Sequence, residues 1–137
     1  AGYCAGAPGI GLARLDGLAR IDAQDPLHAD LLRDIKRSDE FVASMEGESR
    51  NHLCCGTAGR VDYLIEKASR QQDPEAMVHS RRLLTELIQG KRRRGHYNFH
   101  AVKGKYYYNP TLFQGTTGIG YEILRLLAPD RIRSVLI

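Results

Sequence analysis

The three cysteines of this chain stand where they could share one metal ion. Cys4 precedes a Gly-x-x-Gly turn at residues 6–9, and the adjacent pair Cys54 and Cys55 precedes a turn of the same form at residues 56–59. Thiolates are good zinc ligands, and a catalytic zinc site uses three protein ligands and keeps one position open. The competing hypothesis is that these residues are small buried hydrophobic side chains, as free cysteines often are.

Two histidines are candidates for the same site. His52 lies two residues before Cys54, so it is a possible fourth ligand or a group that supports a ligand. His100 lies in a tyrosine-rich stretch and is a possible side chain facing a cleft. For both, a surface or packing role remains the alternative hypothesis.

The turn that follows the cysteines occurs a third time, at residues 115–118, where Phe113 and Gln114 stand in place of cysteines. The three copies recur at intervals of roughly 50 to 60 residues, a period typical of arrays whose single units cannot bury their own apolar face. Glycine at these positions permits either a positive φ or a close backbone contact. The repeat predicts a helical array whose turns present the cysteines.

Apolar residues recur at helical spacing in five segments. The first runs over residues 8–21, and the second and fourth begin at the Asp-Pro pairs 25–26 and 73–74, where Asp is a good N-cap and Pro suits the first turn. The third and fifth follow glycine turns, and Pro129 ends the last one. The alternation of glycine starts with Asp-Pro starts is typical of inner and outer helices in an α/α array.

The pattern breaks between residues 92 and 110. Residues 97–102 and 106–108 predict either a short hairpin about Gly104 or an irregular ordered loop. The basic run at residues 91–94 lacks the interleaved aromatic side chains of a nucleic-acid surface, so we expect a solvated loop and no nucleic-acid partner. Contact with an acidic peptide is a weaker alternative.

Composition is that of an ordinary globular domain. The 137 residues are 42% hydrophobic and 26% charged, with a net charge of +4 and a pI near 9.1. No stretch approaches the roughly 20 apolar residues that a membrane-spanning helix needs. Three cysteines, two of them adjacent, do not suit a disulfide framework, so we expect reduced thiols in the cytoplasm.

At these motifs the sequence resembles a known family. Residues 3–14, YCAGAPGIGLAR, resemble the first zinc-ligand motif of the lanthionine synthetase C-like cyclases, and residues 52–60, HLCCGTAGR, resemble the second. Residues 113–122, FQGTTGIGYE, are similar to the closing repeat, and residues 134–136 to the usual tail of the family. The resemblance spans essentially the whole chain.

The resemblance implies an all-α fold, namely a partial α/α toroid of about three helical-hairpin repeats. It implies that residues 1–137 are the C-terminal portion of the cyclase domain and that Cys4, Cys54 and Cys55 are Zn²⁺ ligands. Stand-alone cyclases usually have Cys-His-Gly at the second motif. The Cys-Cys-Gly of this chain resembles the class II (LanM-type) lanthipeptide synthetases. Tyr3 departs from the usual Trp of the family.

The implied activity is zinc-dependent cyclisation of a dehydrated precursor peptide in lantibiotic biosynthesis. Cysteine thiols add to dehydroalanine or dehydrobutyrine and give (methyl)lanthionine thioether rings. The resemblance places the acid/base histidine, the upstream half of the cyclase and the dehydratase domain before Ala1. We therefore expect an incomplete catalyst, and we expect association of the isolated chain through uncovered apolar faces.

Three other hypotheses remain. The chain is a zinc-stabilised peptide-binding module without catalysis, or a metal-free helical scaffold, or a relative that joins glutathione to dehydrated residues. The adjacent cysteines favour the peptide cyclase over the glutathione-joining enzyme.

Overall fold

The computed structural model describes residues 2–45, 50–99 and 107–137, and these residues form five α-helices and no strand. The all-α prediction is therefore confirmed. The segment predicted as a hairpin or loop lies mainly outside the described residues, as does His100. Its described ends, residues 97–99 and 107–108, are irregular. The helices are α1 (Ala7–Leu18), α2 (His28–Ser44), α3 (Thr57–Gln71), α4 (Pro74–Arg94) and α5 (Thr116–Leu127), and a 3-10 turn, Tyr3–Ala5, precedes them.

The helices pack as hairpins arranged side by side. α1 pairs with α2 and α3 pairs with α4, while α3 also contacts α1 on one side and α5 on the other. The three helices that begin at glycine turns thus lie side by side in the order α1, α3, α5, and α2 and α4 each pack against their own hairpin partner. The described residues contain two helical hairpins and a fifth helix that follows the third glycine turn. None of the described helices is long and apolar enough to cross a membrane.

The core lies where these helices meet, and all five contribute to it. Tyr63 of α3 is buried where α1 and α2 meet, and its hydroxyl donates a hydrogen bond to Asp39 Oδ1 at 2.7 Å. A Cβ on Gly11 would lie 2.4 Å from the Tyr63 ring, so α1 needs a glycine at this position. The buried apolar side chains are Leu12, Leu15, Ile35, Val42, Leu53, Ala58, Val61, Tyr63, Leu64, Ile65, Ala76, Leu83, Leu84, Leu87, Ile119 and Leu136.

None of the glycines in the three turns has a positive φ, and the second glycine of each turn is required by close backbone contact. The first glycine of each turn caps its helix in an extended conformation, with φ of −162°, −136° and −137°. A Cβ on Gly59 would lie 2.2 Å from the Leu53 carbonyl oxygen, and a Cβ on Gly118 would lie 2.1 Å from that of Leu112. Of the two roles expected for these glycines, the close contact is the one the structure shows.

The Asp-Pro pairs act differently at α2 and α4. Asp73 caps α4 as predicted, because its side chain accepts hydrogen bonds from the backbone N–H groups of Glu75 and Ala76. Asp25 instead accepts from Leu27 N within a turn, and α2 begins only at His28. The predicted first residue of α2, Pro26, was therefore two residues early.

Two further boundaries differ from the prediction. α1 ends at Leu18 rather than at residue 21, since the Arg20 N–H bonds to the Gly17 carbonyl in a tighter turn. The basic run at residues 91–94, expected as a solvated loop, is the last turn of α4 and ends at Gly95, whose φ is 84°. Four cations at a helix C-terminus interact favourably with the helix dipole, which explains why this run stays helical.

Candidate metal centre

The three cysteine sulfurs converge on one point. Cys55 Sγ lies 2.9 Å from Cys4 Sγ and 3.2 Å from Cys54 Sγ, and all three sulfurs lie within 4.8 Å of one another. None of the three forms a disulfide. Cys4 is exposed, and the other two are half-buried. The structure therefore brings together the three residues that the sequence singled out, and leaves one side of the cluster open to solvent.

Two turns hold the cluster. Cys4 lies in the 3-10 turn before α1, and Cys54 and Cys55 lie in the turn before α3. The Cys4 N–H donates to the Cys54 carbonyl at 3.3 Å, which fixes one turn against the other. Gly2 is also needed here, because a Cβ at that position would lie 2.1 Å from Cys55 Cα. Sequence analysis missed this glycine, since it lies outside the Gly-x-x-Gly motif.

The third turn supports the cluster without supplying sulfur. The Cys54 N–H donates to the Phe113 carbonyl at 2.8 Å. This bond joins the second turn to the third in the same way that the bond from the Cys4 N–H to the Cys54 carbonyl joins the first turn to the second. Phe113 thus occupies in its turn the place that Cys4 and Cys54 occupy in theirs. The alignment of the three turns in the sequence already contained this equivalence.

His52 supports a cysteine rather than joining the sulfurs. Its side chain is fully buried, and its Nδ1 accepts a hydrogen bond from the Cys55 backbone N–H at 3.1 Å. The group of side chains close enough to share an ion contains the three cysteines and, among the described residues, no histidine. Of the two roles considered for His52, the structure favours the supporting one.

The thiols of the cluster influence one another's ionisation. A hydrogen bond from Cys55 lowers the pKa of Cys4, whereas burial raises the pKa of Cys54 to about 12. The pKa of Cys55 is raised, first of all by its hydrogen bond with Cys4. Crowded thiols therefore do not all ionise by themselves. A bound cation reverses this balance, because a coordinating thiol is deprotonated outright.

The donor set fits zinc. Sulfur-only ligands are soft and select zinc and related metals over magnesium or calcium, which prefer oxygen. Three converging sulfurs with an open side also match the ligand number of a catalytic zinc site. Cys4, Cys54 and Cys55 are the residues that would hold such an ion.

A buried ionic cluster joins α3, α5 and the C-terminal residues. Arg125 Nη1 pairs with Asp62 and, at 3.2 Å, with Glu122, while Nη2 pairs with Glu66 at 2.5 Å. Ser134 Oγ donates to Asp62 Oδ2 at 2.9 Å. Sequence analysis missed this cluster, because charged residues at helical spacing are normally assigned to a solvated face.

Comparison with known proteins gives one match. A family model described as lanthionine synthetase C-like protein matches residues 2–137. No curated protein and no solved structure matches the chain significantly. The matched range includes all three glycine turns and all three cysteines.

Proposed function

Because the chain belongs to the lanthionine synthetase C-like family, we propose that it carries the metal centre of a cyclase that forms thioether rings in a dehydrated precursor peptide. The observation that carries this proposal is the convergence of three cysteine sulfurs within 4.8 Å of one another. The family match alone does not require a site in this chain. The family match and the converging sulfurs together support a cyclase whose metal ligands are Cys4, Cys54 and Cys55.

The three cysteines hold Zn²⁺ in this proposal, and the zinc, when bound, supplies the Lewis acidity that lowers the pKa of a substrate thiol. The exposed side of the cluster, beside Cys4, is where a peptide cysteine enters. His52 keeps Cys55 in place through the hydrogen bond between its Nδ1 and the Cys55 N–H. The third turn keeps Cys54 in place through the Phe113 carbonyl.

The ring closes without a change of redox state. The substrate cysteine loses its thiol proton, and its sulfur forms a bond to the β-carbon of dehydroalanine or dehydrobutyrine. The π-electron pair moves toward the α-carbon and its carbonyl, and a proton delivered to the α-carbon completes the lanthionine or methyllanthionine. We assign delivery of that proton to a histidine upstream of residue 1.

The adjacent cysteines support a more specific assignment. A second motif with Cys54 and Cys55 side by side favours a class II (LanM-type) synthetase, with residues 1–137 as the C-terminal portion of its cyclase domain. The partners are then the dehydrated precursor, the upstream half of the cyclase and the dehydratase domain. A cytoplasmic location suits both the ribosomal substrate and thiols that must stay reduced.

The first test of this proposal is zinc content per chain. We expect close to one zinc in the wild type and its loss in Cys54→Ala and Cys55→Ala, measured by mass spectrometry of the metal after exhaustive dialysis. Ser69→Ala is the control, because Ser69 is an exposed residue of the helix that follows the cysteine pair and carries no sulfur. A well-folded wild type that binds no zinc contradicts the proposal.

The second test is cyclisation of a dehydrated peptide by the full-length protein. Since addition leaves the peptide mass unchanged, ring formation is followed as loss of thiols that iodoacetamide can modify. We expect the cysteine variants to lose this activity and Ser69→Ala to keep it. Zinc binding without any cyclisation favours a non-catalytic zinc-stabilised peptide-binding module. A mass increase by one glutathione identifies the glutathione-joining enzyme instead.

A further inference from the structure

We propose that the C-terminal segment, residues 132–137, is a positioning element that holds Cys4 in the metal centre through Tyr3. The inference rests on the proposed function, since it concerns the same metal ligand. It adds a role for residues that contribute no sulfur and that reach the cluster through the side chain of Tyr3, the neighbour of Cys4.

The first contact is made by the residue that precedes the ligand. The Tyr3 hydroxyl donates a hydrogen bond to the Leu136 carbonyl at 2.9 Å, although the two residues lie 133 positions apart in sequence. The Tyr3 carbonyl is packed against α1 so closely that a Cβ on Gly9 would lie 2.0 Å from it. The peptide that leads into Cys4 is thus fixed by its side chain on one side and by its backbone on the other.

The C-terminal segment is itself firmly anchored. Leu136 is only 7% exposed, and its N–H donates to Ser134 Oγ at 2.9 Å. Ser134 donates in turn to Asp62 of α3. Arg125 of α5, which pairs with Asp62, also donates from Nε to the Ile132 carbonyl at 3.3 Å. A continuous series of contacts therefore runs from the buried ionic cluster to Tyr3.

Cys4 is the ligand that needs this support. It lies in a three-residue 3-10 turn and is exposed, and its N–H makes a 3.3 Å bond to the Cys54 carbonyl. Cys54 and Cys55 are half-buried and have shorter bonds, at 2.8 Å to the Phe113 carbonyl and 3.1 Å to His52. Anchoring Tyr3 lowers the number of orientations that Cys4 explores before it binds metal.

Tyr3→Phe tests the proposal, with Tyr121→Phe as its matched control. Tyr121 of α5 makes an exposed hydrogen bond to the Arg133 carbonyl at 2.8 Å, which lies outside the series of contacts that runs from Asp62 through Ser134 and Leu136 to Tyr3. Zinc affinity is measured by competition with a chromophoric chelator. We expect Tyr3→Phe to weaken zinc binding roughly 3- to 10-fold, the loss of one net hydrogen bond, and Tyr121→Phe to leave the affinity within about twofold.

A double-mutant cycle separates positioning from general destabilisation. In a Cys4→Ala background, Tyr3→Phe should have no further effect on the remaining zinc affinity, since its target is gone. Ser134→Ala acts at the other end of the segment and should weaken zinc binding only when Cys4 is present. Wild-type affinity in both Tyr3→Phe and Ser134→Ala would overturn the proposal.

A readout without metal distinguishes this proposal from the proposed function. In reduced, metal-free protein, we expect diamide to take two electrons and two protons from Cys4 and Cys55, giving a disulfide and the hydrazine form of the reagent, at a rate that depends on how well the two thiols are held together. We expect Tyr3→Phe to slow this reaction severalfold and Tyr121→Phe not to change it. If the wild type binds no zinc, the proposed function fails, while this rate still decides whether the segment positions Cys4.

Discussion

Adjacent cysteines share a site here because of the backbone that follows them. The turn after Cys55 bends through Gly56, which is extended and lies against the Arg50 carbonyl, 2.2 Å from where its Cβ would be. Two neighbouring side chains of a regular helix or strand point in different directions. A pair of adjacent ligands therefore requires an irregular segment, and each cysteine of this protein lies in such a segment at a helix start.

A different residue, Glu122, should control how stability varies with pH. Burial first of all, and then the charge of Asp62, raise the pKa of Glu122 to about 9 from the ordinary value of 4.5. The folded protein then retains a proton that the unfolded chain releases, so this site loses stability as pH rises from about 5 toward 9. Glu122→Gln keeps the shape and removes the titration. The substitution should reduce the decrease in the free energy of unfolding with rising pH by up to about 1.4 kcal/mol per pH unit.

Urea unfolding of metal-free protein at pH 5 and pH 7.5 measures this effect. Glu86→Gln, at an exposed carboxyl of α4, is the control and should unfold like the wild type at both pH values. Equal pH dependence in the wild type and in Glu122→Gln would show that Glu122 is ionised in the folded protein.

At the scale of helices, the second glycine of each turn lets the start of its helix lie directly against backbone that precedes the turn. Gly118 and Gly120 lie two residues apart in α5 and make a matched pair. A Cβ on Gly118 would meet the Leu112 carbonyl at 2.1 Å and Leu53 Cβ at 3.0 Å, whereas nothing lies within 4 Å of a Cβ on Gly120.

We expect Gly118→Ala to destabilise the protein by about 1–3 kcal/mol, because the overlap is with backbone that cannot move aside. Gly120→Ala should stabilise it by about 0.5–1 kcal/mol through helix propensity alone. Free energies of unfolding from denaturant titrations of the wild type and the two variants test both expectations. Similar effects of the two substitutions would mean that the turn does not depend on the close contact.

Sequence patterns predicted the helices better than their ends. Apolar spacing located all five helices, and the glycine turns located the cysteines, because both signals are local. The end of α1 and the helical basic run at residues 91–94 were missed, since dihedral choices within one turn follow from tertiary contacts and end charges. The contacts of Tyr3 with Leu136 and of Asp62 with Arg125 join residues far apart in sequence. No periodicity encodes such pairs.

At the scale of the whole molecule, one face of α5 is apolar and uncovered. Leu124 is 53% exposed and Leu127 is 77% exposed, and exposed Gly120 lies on the same helical face. α5 packs on α3 and, to a lesser extent, α4 among the described helices. Contiguous apolar surface of this kind promotes association. We expect the isolated chain to associate as its concentration rises.

Sedimentation velocity over a range of concentrations measures this association. Leu124→Glu with Leu127→Glu should shift the chain toward monomer. Val78→Glu is the control, because Val78 is a similarly exposed apolar residue, at 67%, on a different helix, α4, and should leave the association unchanged. A wild type that stays monomeric at every concentration would contradict the expectation.

The bonds that join the three turns use only backbone atoms. The N–H of Cys4 meets the carbonyl of Cys54, and the N–H of Cys54 meets that of Phe113. Since no side chain takes part, the scaffold accepts sulfur or an aromatic ring at the same place without rebuilding the turn. Scaffold and chemistry are therefore separable in this fold. The repeated backbone fixes the position of the side chain in each turn, and substitution of that one residue determines whether the turn presents a metal ligand.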